Sequence, residues 1–104
     1  MSSQADDRIE AVGIDDAGSL WVKPATSAFP YIYREAMNVQ WDPERLCLFC
    51  PPPREWSYCR WYQQIKAAAR EQGVSLSLTP DTCWSNVGDD LQREIVALSE
   101  SNVA

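Results

Sequence analysis

Of the side chains able to do chemistry, Glu35 stands out first, because it interrupts a run of aromatic and apolar residues, Phe29 to Trp41 (FPYIYREAMNVQW). Taken as a strand, this run places Tyr31, Tyr33, Met37, Val39 and Trp41 on one face and Arg34, Asn38 and Gln40 on the other. Glu35 falls on the apolar face, where a carboxylate is unfavourable unless paired or hydrogen-bonded. With Tyr31 and Tyr33 beside it, and Trp21 and Trp41 brought alongside by hairpin pairing, it would act as a general acid or base or hold a cation against ring faces. The plainer alternative pairs Glu35 with Arg60 or Arg70, or turns it to solvent at a β-bulge.

The second constellation is Cys47-Leu48-Phe49-Cys50, accompanied by Cys59 and Cys83. Its spacing does not match a common zinc ribbon, and on a strand Cys47 and Cys50 point to opposite faces. A thioredoxin-like motif needs a helix starting at the CxxC, whereas here Pro51 to Pro53 follow. The four cysteines are therefore expected to be structural thiols, with no metal and no cofactor. The chain contains no histidine, which removes the usual general base and the Ser-His and Cys-His pairs. Its four glycines form no phosphate loop. No catalytic residue is assigned, and an enzyme would have to work with carboxylates or a tyrosine.

A third feature, Trp56 flanked by Arg54, Glu55 and Arg60, has the composition of an interface centre, since Trp and Arg dominate binding hot spots. Trp56 and Arg60 are the candidate interface residues. The alternative packs Trp56 under the three prolines.

The elements that must position these groups begin with the segment Arg54 to Gly73, predicted as one long amphipathic helix. Tyr58, Trp61, Tyr62, Ile65, Ala68 and Ala69 recur at spacings of three and four and must face a core. Prolines stand ahead of it and Gly73 ends it. Ile9 to Ile14 and Ser19 to Lys23 read as strands joined by the turn Asp15-Asp16-Ala17-Gly18. Phe29 to Trp41 and Leu46 to Cys50 form a second hairpin around Asp42-Pro43-Glu44-Arg45. Val74 to Leu78 is a half-buried strand, Thr79 to Val87 is a loop carrying Cys83 and Trp84, and Asp89-Asp90 opens a shorter helix with Leu91, Ile95 and Leu98 inward. The order is ββββαβα, an α+β fold with a mainly antiparallel sheet of about five strands. Residues 1–7 and 101–104 are expected to fray around a single domain, 8–100.

At 104 residues, 45% of them hydrophobic, the chain can bury a core without staples. A formal net charge of -6 argues against binding nucleic acid; it favours a basic protein partner or a cationic ligand, with plain solubility as the default reading. The N-terminal segment MSSQADDRIE has no apolar run, and no stretch approaches a membrane span. A cytoplasmic protein with reduced thiols is expected.

The segments LWVKPA (20–25), FPYIYREAMNVQWD (29–42) and DTCWSNVGDDL (81–91), in this order, resemble the small acidic proteins of mobile integron gene cassettes. The resemblance implies a bacterial cytoplasmic homodimer of unassigned activity and carries over no functional residue. The expected function is a small-ligand-binding module with an acidic, aromatic-lined pocket. The rivals are an immunity- or antitoxin-like module covering a basic partner and, third, a carboxylate–tyrosine enzyme.

Overall fold

β1 (Ala5–Ile14) organises the sheet, because strands pair with both of its edges. The computed structural model describes residues 5–36, 38–52 and 57–101. On one edge β1 pairs antiparallel with β2 (Leu20–Pro24) across a turn in which the Asp15 carboxylate accepts from the Ala17 and Ser19 N–H groups. Gly18 completes that turn at φ 87°, a conformation that costs a residue with a Cβ. β1 includes residues 5–7, which were expected to fray.

The β1–β2 register slips by one residue between Ile9 and Ala11. Glu10 is the extra residue of this bulge, and the bulge resets the inward phase, so Ile9 and Val12 are both buried although they lie an odd number of positions, three, apart. Beyond β2 lie β4 (Cys47–Phe49) and then β3 (Gln40–Asp42), both antiparallel to their neighbours. On the other edge of β1, β5 (Val74–Ser77) pairs with residues 5–8 and β6 (Cys83–Ser85) with residues 11–13, both parallel.

The fold is α+β, as expected, with a sheet that is mixed rather than uniformly antiparallel. The sixth strand is a correction: the expected loop Thr79 to Val87 contains β6, a segment too short to carry a periodic signal of its own. Leu46, expected to open β4, instead sits exposed in the turn at φ 55°.

The largest correction concerns Phe29 to Trp41. This segment forms no long strand. A 3-10 helix spans Ile32–Arg34, and only Gln40 and Trp41 enter β3. The inward residues are Phe29, Ile32, Ala36 and Val39, at spacings of three, four and three. This is a helical spacing, and the turn bonds Ile32 N–H to Phe29 O, Glu35 N–H to Ile32 O and Val39 N–H to Ala36 O close it. The alternation of aromatics therefore marks the outside of a turn. Met37 lies outside the described residues.

α1 (Tyr58–Glu71) starts later than expected because Ser57 caps it, its hydroxyl accepting from the Arg60 N–H at 3.2 Å, a contact worth about 1 kcal/mol. Residues 53–56 are outside the described set. The expected stripe is the packed one: Trp61, Tyr62, Ile65, Ala68 and Ala69 are buried against the sheet, and Tyr58 is half-buried. The Tyr58 hydroxyl donates to the Gly18 carbonyl at 3.0 Å, tying the start of α1 to the β1–β2 turn. After the Gln72 cap, Gly73 at φ 89° turns the chain into β5. α2 (Asp89–Ser101) carries Asp89 and Asp90 in its first turn and packs on α1, with Ile95 buried. No helix among the described residues is long and apolar enough to cross a membrane.

Candidate functional site

Without the long strand, Tyr31, Tyr33 and Glu35 have no common strand face. Tyr31 and Tyr33 are 54% and 56% exposed on the 3-10 turn. Glu35 is exposed too, and its Oε1 accepts from the Gln72 amide at 2.8 Å, fastening the turn to the C-cap of α1. Arg34 stacks over the Tyr31 ring at 4.9 Å. The two tryptophans expected as walls have structural partners of their own. Trp41 packs edge-on against Phe29 at 5.9 Å, and Trp21 lies across from Gly13 with the Arg45 guanidinium 5.6 Å from its ring. Of the candidate interface pair, Trp56 lies outside the described residues and Arg60 is exposed on the first turn of α1.

The cysteines occupy separate environments. Cys47 and Cys50 are both buried, so the expected split of the CxxC between opposite faces leaves neither thiol at the surface. Burial pushes the Cys50 thiol up to about 11, and its Sγ donates to the Leu20 carbonyl at 3.7 Å. Cys59 also rises to about 11, through burial and then through donation from its Sγ to the Glu94 carboxylate at 3.1 Å. Cys83 is exposed on β6. Among the described residues, no three His, Cys, Asp or Glu side chains are grouped so as to hold a metal.

The structure brings together a different set of groups. Between Ser77, opposite Arg8, and Cys83, opposite Ala11, the chain holds five residues where β1 holds only Ile9 and Glu10. The surplus must leave the sheet. Residues 78–82 form a loop that leaves the strand pairing, and beside it lies a hollow of about 320 Å³ lined by Arg8, Ile9, Glu10, Thr79 and Asp81.

The Thr82 side chain holds this split open in a defined shape. Its buried hydroxyl donates to the Ile9 carbonyl at 2.7 Å and accepts from the Thr79 N–H at 3.0 Å. The Thr79 hydroxyl in turn accepts from the Asp81 N–H at 3.2 Å, and Thr82 N–H donates to the Thr79 carbonyl. The loop is thus fixed by hydrogen bonds where strand pairing is interrupted. Glu10 pairs with Lys23 at 3.1 Å across the β1–β2 edge. Arg8 and Asp81 line the same hollow, yet among the described residues neither side chain makes an ion pair.

None of the lining residues was singled out from the sequence. The one local signal was Thr79-Pro80-Asp81-Thr82, whose turn chemistry marks a loop, whereas the bulge at Glu10 shows only as the spacing of Ile9 from Val12.

Fold and hollow define a small mixed-sheet α+β domain with a polar hollow where the loop joining two parallel strands leaves the edge of β1. The family model of integron cassette protein Hfx_Cass5 matches residues 7–82, and the chain belongs to that family. A solved chain described as an integron cassette protein Hfx_Cass5 from the mobile metagenome of North West Arm Sewage Outfall is 49% identical. That match covers 90% of this chain and 95% of the other, with a TM-score of 0.45. No curated protein matches.

Proposed function

We propose that the protein is a small-ligand-binding module of the bacterial cytoplasm whose site is the hollow between β1 and the 78–82 loop. The observation that carries this reading is the geometry of the hollow. At about 320 Å³ it is the size of a small metabolite's site, and polar groups from two distant segments, Arg8 and Glu10 against Thr79 and Asp81, converge on it. A bulge beside it suits this role, since bulges re-aim side chains next to binding sites. Four free cysteines, two of them buried, suit a reducing compartment.

Thermal-shift screening with small polar metabolites tests the reading. A ligand present at ten times its Kd adds about 1.4 kcal/mol, which in a domain of this size raises Tm by about 6 °C or more. At the same ligand concentration Arg8→Gln should cut the shift to about a third or less without lowering the Tm of the free protein. The reading fails if no compound stabilises the wild type, or if wild type and variant respond alike.

One observation favours a second reading, a protein-interaction module. Tyr31 and Tyr33 are both exposed at the 3-10 turn, with Arg34 stacked on Tyr31, a composition common at binding hot spots. That turn would form either a homodimer contact or, given the net charge of -6, part of the cover over a basic partner. Sedimentation of the wild type and of Tyr31→Ala/Tyr33→Ala distinguishes these: a dimer lost in the variant supports self-association, and identical monomers exclude it.

A further inference from the structure

We infer that the ligand of the hollow is a small zwitterion, a molecule of amino-acid size whose carboxylate meets Arg8 and whose ammonium group meets Asp81. The inference rests on the reading of the hollow as the binding site and adds the charge pattern of its occupant.

Three of the residues that line the hollow are charged, and they are not equivalent. Glu10 has its counter-charge in Lys23, 3.1 Å away. Arg8 and Asp81 have opposite signs and line the same space, and neither is paired among the described residues. The backbone explains why they stay apart. Arg8 is the last β1 residue in register with β5, where it sits opposite Ser77. Asp81 is carried by the loop that has left the sheet and is fixed there by the bond from its own N–H to the Thr79 hydroxyl. The Thr82 hydroxyl locks that loop to β1 through Ile9, so Asp81 is held on the loop while Arg8 stays on the strand.

A guanidinium and a carboxylate held apart on one hollow complement a molecule carrying both opposite charges. A simple anion would meet Arg8 but also face Asp81. A simple cation would be attracted by Asp81 but opposed by Arg8. Only a ligand with both charges satisfies both walls, because each of its ends replaces water by a charge-assisted hydrogen bond. At about 320 Å³ the hollow has room for an amino acid or a comparably small zwitterion.

The test is a titration of the ¹⁵N-labelled full chain with the free standard amino acids and, in parallel, with propionate, propylamine and propionamide, followed by the methyl ester and the N-acetyl derivative of each amino acid that binds. The expected result is a shift of the Arg8, Glu10, Thr79, Asp81 and Thr82 amide resonances by one or more zwitterions. Blocking either charge of the ligand should weaken binding roughly ten- to a hundredfold, as should Arg8→Gln or Asp81→Asn. Both side chains are exposed, so these variants should fold, and an unchanged Tm verifies it. If esters or N-acetyl derivatives bind at these amides as tightly as the parent, or if only singly charged or neutral metabolites shift them, the zwitterion assignment is overturned while the hollow remains the site. If no compound perturbs these amides, both the assignment and the binding-site reading fall.

Discussion

The Thr82 hydroxyl donates to the carbonyl of Ile9 at 2.7 Å, joining residues 73 positions apart in the chain. The same oxygen accepts from the Thr79 N–H, so one buried side chain stands in for the strand pairing that is absent between β5 and β6. Replacing it with the isosteric valine leaves two buried polar groups without a partner. Thr82→Val should destabilise the fold by about 1–3 kcal/mol in denaturant melts. Amide exchange at Thr79 should accelerate more than exchange in α1, while Thr82→Ser should restore most of both. A Thr82→Val protein as stable as the wild type would show that the loop is held by other means.

Gly13 is required by its neighbours. It is the cross-strand partner of Trp21, and a Cβ there would overlap the indole ring and lie 2.8 Å from the Ser85 carbonyl. Overpacking of this kind costs about 1–3 kcal/mol, the expected loss for Gly13→Ala. Trp21→Leu should relieve part of the clash, so the double variant should be less destabilised than the sum of the single ones. Strict additivity in the cycle would contradict the contact.

The Asp7 carboxylate organises the turn after β2. It accepts from the Thr26 and Ser27 N–H groups at 3.1 and 2.9 Å and from the Thr26 hydroxyl at 3.2 Å. Partial burial raises its proton affinity, but these hydrogen bonds outweigh burial and hold its pKa below the ordinary 3.8. A pKa lowered in the folded state adds stability that is present above the unfolded value and is lost as pH falls through the folded one. Wild type should therefore exceed Asp7→Asn in Tm at pH 6, and the gap should close below about pH 3.8. A gap that is independent of pH would exclude the ionised carboxylate as its source.

The thiols should differ in reactivity. Cys83 is exposed, whereas Cys59 rises to about 11 because burial and donation to Glu94 favour its neutral form. Maleimide labelling at pH 8, read by mass spectrometry, should modify Cys83 first and Cys59 slowly, because the thiolate is the nucleophile. Glu94→Ala removes the acceptor and the adjacent negative charge and should accelerate labelling of Cys59. The folded pKa of Cys59 lies above the unfolded value of about 9, so its share of stability is full below that pH and declines toward pH 11. Labelling of Cys59 as fast as Cys83 in the wild type would refute the contact.

Elements with a long period were legible from residue types alone. The α1 stripe at Trp61, Tyr62, Ile65, Ala68 and Ala69 is the buried one, because fourteen residues sample the helical period often enough to leave no other reading. The β1–β2 hairpin was legible for a related reason, since Asp15 and Gly18 supply turn chemistry between two apolar runs. Phe29 to Trp41 was misread because aromatic residues on alternate positions imitate a strand, while the residues that sink into the core, Phe29, Ile32, Ala36 and Val39, follow a different period.

Amino-acid order thus determined the α+β class, the two helices with their inward faces, the acidic balance and the turns, all set by interactions within a few residues of one another. Tertiary structure alone decided that Cys83–Ser85 is a strand, that Glu10 is a bulge and that Arg8 and Asp81 share one hollow. The bulge depends on the register of β1 against β2, and the strand and the shared hollow depend on the register in which β1 meets segments about seventy residues away. Such a register is chosen by the packing of the whole sheet, and no local run of residues encodes it.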